Sequence, residues 1–112
     1  MDKAIHKILR TAILGKRCVT LTAQGWQRIL CPHALGYINK RATLLAFQYG
    51  GSSTSGLPPA GGWRSIPLDD ILGAEVTDGE WRSSGDYIVK LETSFDYIEI
   101  QARPLHRGEL AL

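Results

Sequence analysis

Apolar residues recur at helical spacing near the start of the chain. Ile5, Ile8, Leu9, Ala12 and Ile13 share one side, and Lys3, Lys7, Arg10 and Thr11 occupy the other. This spacing predicts an amphipathic helix over residues 2–15. Asp2 suits its N-terminal end, Gly15 supplies a stop, and Lys16 and Arg17 put positive charge where the helix dipole favours it. Beyond Gly15 the pattern becomes that of strands. Cys18-Val19-Thr20-Leu21-Thr22 alternates and is rich in β-branched residues, and Gln24-Gly25 reads as the turn that follows. A second strand runs from about Trp26 to Ile38. Pro32 inside it removes a ladder donor and so points to an edge or a bulge. Asn39-Lys40 makes a tight turn into Arg41–Tyr49, whose run Leu44-Leu45-Ala46-Phe47 reads as a buried strand.

Residues 50–62 are uncharged and rich in Gly, Ser and Pro, the composition of a long flexible loop. Trp63–Leu68 predicts the next strand, Asp69-Asp70-Ile71-Leu72 a short turn or one helical turn, and Ala74–Thr77 another strand. Arg82-Ser83-Ser84-Gly85 reads as a loop. Two last strands, Tyr87–Glu92 and Phe95–Gln101, are expected to form a C-terminal hairpin over 86–102, with a frayed tail over 104–112. The expected fold is α+β and mainly β. An N-terminal helix precedes a small antiparallel barrel of five to seven strands, with the barrel at 17–78, in one domain covering 1–112.

The 112 residues suffice for one modest core, and 44% hydrophobic against 21% charged residues argues against disorder across the whole chain. The N-terminus lacks an apolar h-region, and no run reaches the ~18 apolar residues that a membrane helix needs. A cytoplasmic protein without a membrane partner is expected. Cys18 and Cys31 then read as reduced thiols. Charge is unevenly spread. Residues 1–64 hold nine Lys/Arg against Asp2 alone, a net +8, and residues 65–112 hold four basic and ten acidic side chains, a net −6. Such asymmetry marks either a surface for a polyanion or two halves that lie together and neutralise one another.

Two stretches carry a family resemblance. Pro32-His33-Ala34-Leu35-Gly36-Tyr37, then a short turn and an apolar strand, resembles the core of WYL domains. Trp63-Arg64-Ser65-Ile66-Pro67-Leu68-Asp69-Asp70-Ile71 is similar to the same family's later conserved segment. The resemblance covers residue 2 to about residue 78. It implies an Sm-like barrel and a ligand-sensing module of bacterial transcription regulation or defence, with nucleic acid or a nucleotide as the favoured ligand. By matching motifs it carries over His33, Tyr37 and Arg64. The sequence departs from the family where the namesake Trp-Tyr gives way to Ala42-Thr43, leaving Leu44, and where the usual Arg before Leu-Asp is Pro67. The family's usual DNA-binding helix-turn-helix cannot be built from one helix, so a regulatory role would run through a partner protein.

The candidate chemistry is that of binding, not catalysis. Cys31-Pro32-His33 places a thiol and an imidazole two residues apart, but Pro32 disturbs the strand geometry and no orienting acid lies near in sequence. His6, His33, His106 and the two cysteines lack metal-ligand spacing, and the Gly-Gly pairs lack the lysine and helix of a phosphate loop. No cofactor, metal or enzyme activity is expected. Basic side chains that track phosphates, interleaved with aromatics, suit a nucleic-acid face. The expected ligand-binding residues are His33, Tyr37, Arg41, Arg64 and Arg28. The alternative is an interaction module that forms a homodimer or docks on a partner through its C-terminal strands.

Overall fold

The computed structural model describes residues 3–51 and 61–103. The tail over 104–112 and most of the Gly/Ser/Pro-rich stretch lie outside the described residues. Helix α1 (Lys3–Gly15) buries Ile5, Leu9, Ala12 and Ile13, the stripe that the sequence pattern marks. Leu9, Ala12 and Ile13 are fully buried. A large apolar side chain so placed contributes about 1.5–3 kcal/mol. The helix ends in a Schellman arrangement, with Arg17 N donating to Ala12 O at 2.8 Å and Lys16 N to Ile13 O at 3.4 Å. The left-handed residue is Lys16 (φ 52°), one position beyond the expected stop at Gly15.

Five antiparallel strands follow in spatial order β4-β3-β2-β1-β5, and a sixth, β6, pairs with β2. They are β1 (Cys18–Ala23), β2 (Trp26–Ile38), β3 (Arg41–Gly51), β4 (Gly62–Pro67), β5 (Ile71–Thr77) and β6 (Tyr97–Gln101). The two tight turns fall where the sequence puts them. Gln24 and Gly25 (φ 55° and 80°) join β1 to β2, and Asn39 and Lys40 (φ 50° and 65°) join β2 to β3. Positive φ at both central residues gives the turn whose twist matches the flanking strands. A single 3-10 turn, Leu68–Asp70, leads into β5, which returns to pair with β1.

β2 organises the sheet. Its first half pairs with β1 (Val19 opposite Leu30) and its second half, on the same edge, with β6 (Ala34 opposite Gln101). Its other edge pairs with β3 throughout, with a register shift between Pro32 and Ala34. Pro32 therefore sits at a bulge and leaves His33 outside the ladder. Gly36 is required where β6 crosses, because a Cβ there would run into the Tyr97 carbonyl and the Phe95 ring.

The expected hairpin over 86–102 is not formed. Tyr87–Ser94 is a helix, α2, and only Tyr97–Gln101 is a strand. Tyr87 and Leu91, one helical repeat apart, pack on Ala34 and Leu45 with Trp63, Phe95 and Ile98 around them. This packing outweighs the β preference of Ile88 and Val89, which face outward at 43% and 60% exposure. The main core lies on the other side of the sheet, where α1 meets Val19, Leu21, Leu30, Leu44 and Ile66. Neither described helix is long and apolar enough to cross a membrane.

Candidate anion-binding cluster

Arg28 lies on the core side of β2, facing Leu21 of β1 and Gly51 of β3. It is 3% exposed, yet no carboxylate lies within ion-pair reach of it among the described residues. Its guanidinium meets two neutral amides. Nη1 donates to Gln48 Oε1 at 3.1 Å and Nη2 to Gln24 Oε1 at 3.0 Å, while Nε is buried with no acceptor among the described residues. Burial, and then the charge of nearby Arg64, pull its pKa below the ordinary guanidinium value. Arg64, half-buried on β4 opposite Ala46, is thus a second cation close to the first.

From Arg28 a relay runs toward the start of β3. Gln24 accepts from Arg28 and donates through Nε2 to Asp70 Oδ2 at 3.1 Å, and Asp70 Oδ1 accepts from Arg41 Nη2 at 3.2 Å. The short turn Leu68–Asp70 and the β1–β2 turn thereby bring together side chains that are distant in sequence. Three expected ligand residues, Arg28, Arg41 and Arg64, belong to this region. Gln24, Gln48 and Asp70 are members that the sequence gives no reason to choose, because only the folded register places them beside Arg28. Next to Arg41, residues Ile38, Asn39, Thr43, Ser65 and Pro67 line an open groove of about 450 Å³. Thr43 is buried and turns its hydroxyl back onto the Arg41 carbonyl at 2.9 Å.

His33 and Tyr37 stand apart from this cluster. His33 is 1% exposed in a cage of three rings. It stacks on Trp81 (centroids 4.5 Å apart) and meets Trp63 and Tyr87 edge-on at 4.8 and 4.7 Å. Its Nδ1 lies 2.7 Å from the Cys31 carbonyl, which can only accept, so Nδ1 carries the proton and Nε2 accepts from the Ser83 hydroxyl at 2.9 Å. Burial is the largest cause of a pKa lowered to about 4, so the ring is neutral at physiological pH. Both ring nitrogens are therefore engaged away from the Cys31 thiol, and the Cys–His pair conceivable from sequence is not assembled. Tyr87 anchors the same cage, its hydroxyl donating to the carbonyls of His33 (3.2 Å) and Ala102 (2.9 Å). Tyr37, half-buried, meets Tyr97 edge-on at 6.0 Å on the β2–β6 pair.

The charged halves of the chain do meet in places: Arg17 pairs with Asp78, Arg41 with Asp70, and His6 with Glu99. Among the described residues, no three His, Cys, Asp or Glu side chains gather as a metal site would require. No family model, curated protein or solved structure matches the chain.

Proposed function

We propose that the protein is a regulatory binding module of the WYL kind that takes a phosphate-bearing ligand, a nucleic acid or a nucleotide, at Arg28 and Arg64. One observation carries this reading: Arg28 is a buried cation beside a second cation, and among the described residues its guanidinium is held by two neutral amides. Charged groups removed from water are ordinarily paired, because an uncompensated charge costs several kcal/mol. A phosphate oxygen would supply an acceptor for Arg28 Nε, which has none among the described residues, and guanidinium groups match its geometry. Arg64 is half-exposed and Gln24, which accepts from Arg28, is exposed. Arg41 extends the basic region toward the open groove. His33 becomes a framework residue in this reading, and Tyr37 a neighbour of β6.

The barrel implied by the family resemblance also has support. β5 returns to pair with β1, and the Arg28–Gln24–Asp70–Arg41 relay ties the β1–β2 turn to the start of β3, as a strongly curved sheet would require. A binding role is preferred to catalysis because the thiol of Cys31 and the imidazole of His33, two residues apart in sequence, do not meet. Action in transcription regulation or defence, through a partner protein, follows from the resemblance alone, and the cytoplasmic location from the N-terminal sequence.

Fluorescence anisotropy with labelled single-stranded DNA and RNA tests this reading, with unlabelled nucleotides as competitors. Saturable binding that Arg64→Glu abolishes is expected. The new carboxylate would stand beside Arg28, so the thermal midpoint should not fall. Equal affinity of wild type and variant would contradict the reading.

A second reading rests on the exposed apolar side chains Ile88, Val89 and Tyr97, the last 56% exposed. They suit an interface between two copies or with a partner, formed by α2 and β6 and not by a hairpin. A monomeric sedimentation profile at high concentration would count against the homodimer.

A further inference from the structure

Cys18 and Cys31 are far apart in chemistry from the basic cluster and close to each other. Their sulfurs are 3.2 Å apart, and both residues are fully buried. Their placement follows from register. The β1–β2 register runs from Ala23 opposite Trp26 to Val19 opposite Leu30, and Cys18 and Cys31 are the residues just beyond its last pair, on the opposite side of the sheet from Val19 and Leu30.

A segment without regular structure, residues 78–86, covers the two sulfurs and is held by them. Cys18 Sγ donates to the Glu80 carbonyl at 3.0 Å, and Arg82 N donates to Cys31 Sγ at 3.1 Å. Between these contacts Trp81 stacks on His33, and beyond them Ser83 donates to the same ring. Asp78, Gly79, Glu80, Arg82 and Ser83 are exposed, so the cover over the thiols is a single layer of chain.

We propose that Cys18 and Cys31 form a reversible intrachain disulfide with a small-molecule disulfide such as oxidised glutathione, and that this loosens the segment over 78–86. A thiolate formed at Cys18 attacks one glutathione sulfur and expels the other glutathione as a thiol. The Cys31 thiolate then attacks Cys18 Sγ, closes the intrachain bond and releases the second glutathione. The protein gives up two electrons and two protons, and one glutathione disulfide becomes two thiols. The sulfurs, 3.2 Å apart, need approach by about 1.2 Å to reach the bond length of about 2.05 Å. Oxidation removes the S–H donor that serves the Glu80 carbonyl and leaves Arg82 N with a poorer acceptor. Burial pushes the Cys31 thiol well above its ordinary pKa, so exchange is slow while the cover is closed.

The test uses the whole chain under native conditions with oxidised glutathione, read by intact mass and by hydrogen exchange. The expected product is a monomer lighter by two hydrogens, without a lasting glutathione adduct. Amide exchange over 78–86, at Arg82 in particular, should accelerate roughly five- to tenfold, as the loss of about one hydrogen bond implies. Cys31→Ala should stop the reaction at a glutathione adduct on Cys18. Retention of both thiols, dimers joined between chains, or unchanged exchange over 78–86 would overturn the proposal. The wild-type mass and exchange data decide it even if the variant does not fold.

Discussion

His33 Nε2 accepts a hydrogen bond from the Ser83 hydroxyl at 2.9 Å, joining the bulge of β2 to a segment fifty residues further along the chain. With Nδ1 donating to the Cys31 carbonyl and three aromatic rings around it, the imidazole is buried, which disfavours its charged form. The folded protein holds it neutral down to about pH 4, whereas an unfolded chain protonates it from about pH 6.5. Between those values the unfolded chain binds more protons, so stability falls as pH drops from 6.5 toward 4. The loss reaches about 3 kcal/mol at the acid end, and above pH 6.5 this group contributes no pH dependence. Urea denaturation at pH 7 and pH 5 checks this. Wild type should lose about 2 kcal/mol more than His33→Gln over that interval, and equal losses would contradict the burial of a neutral ring.

Tyr87 gives α2 its attachment. Its hydroxyl bridges the carbonyls of His33 and Ala102, so Tyr87→Phe should cost about 1–2 kcal/mol. Leu91→Ala empties a buried position next to Ala34 and Leu45 and should cost about 2–4 kcal/mol. Chemical denaturation measures both. A Leu91→Ala variant as stable as wild type would mean that α2 does not pack where it is placed.

Gly36 admits β6 to the sheet. In Gly36→Ala the added methyl would meet the Tyr97 carbonyl and the Phe95 ring, so β6 must shift or detach. The expected result is a loss of about 2 kcal/mol or more, with amide protection lost first over Tyr97–Gln101. Hydrogen exchange confined to that strand is the readout.

Arg28 separates function from stability. Replacing a buried, amide-held cation by an apolar chain of similar length relieves desolvation but deprives Gln48 of a donor. Arg28→Met should therefore keep its unfolding free energy within about 1 kcal/mol of wild type. Binding of phosphate-bearing ligands should be lost. Calorimetry and anisotropy on the same sample check the two statements together.

Much of the fold is legible in the sequence because local signals and tertiary demands agree. The α1 stripe, the paired positive-φ turns at Gln24-Gly25 and Asn39-Lys40, and the Pro32 bulge are all written in residue type and spacing. Over Tyr87–Ser94 the signals conflict. Ile88 and Val89 favour a strand locally, and the competing clue, Tyr87, Leu91 and Phe95 at spacings of four, has meaning only once Ala34 and Leu45 offer a surface. The candidate site divides likewise. Arg28, Arg41 and Arg64 can be picked as cations, but Gln24, Gln48 and Asp70 become their partners only through the register of β1, β2 and β3. His33 carries the family resemblance, and its contacts with Trp81 and Ser83 come from a stretch that the resemblance does not reach.

The salt dependence of oligonucleotide binding tests the central claim most directly. Each phosphate contact releases counterions, so the logarithm of affinity falls linearly with the logarithm of salt concentration. If Arg64 contacts phosphate, Arg64→Gln should weaken binding to every sequence alike and make that slope shallower by about one unit. A slope identical in wild type and variant, or no binding by wild type at any salt, would contradict the account.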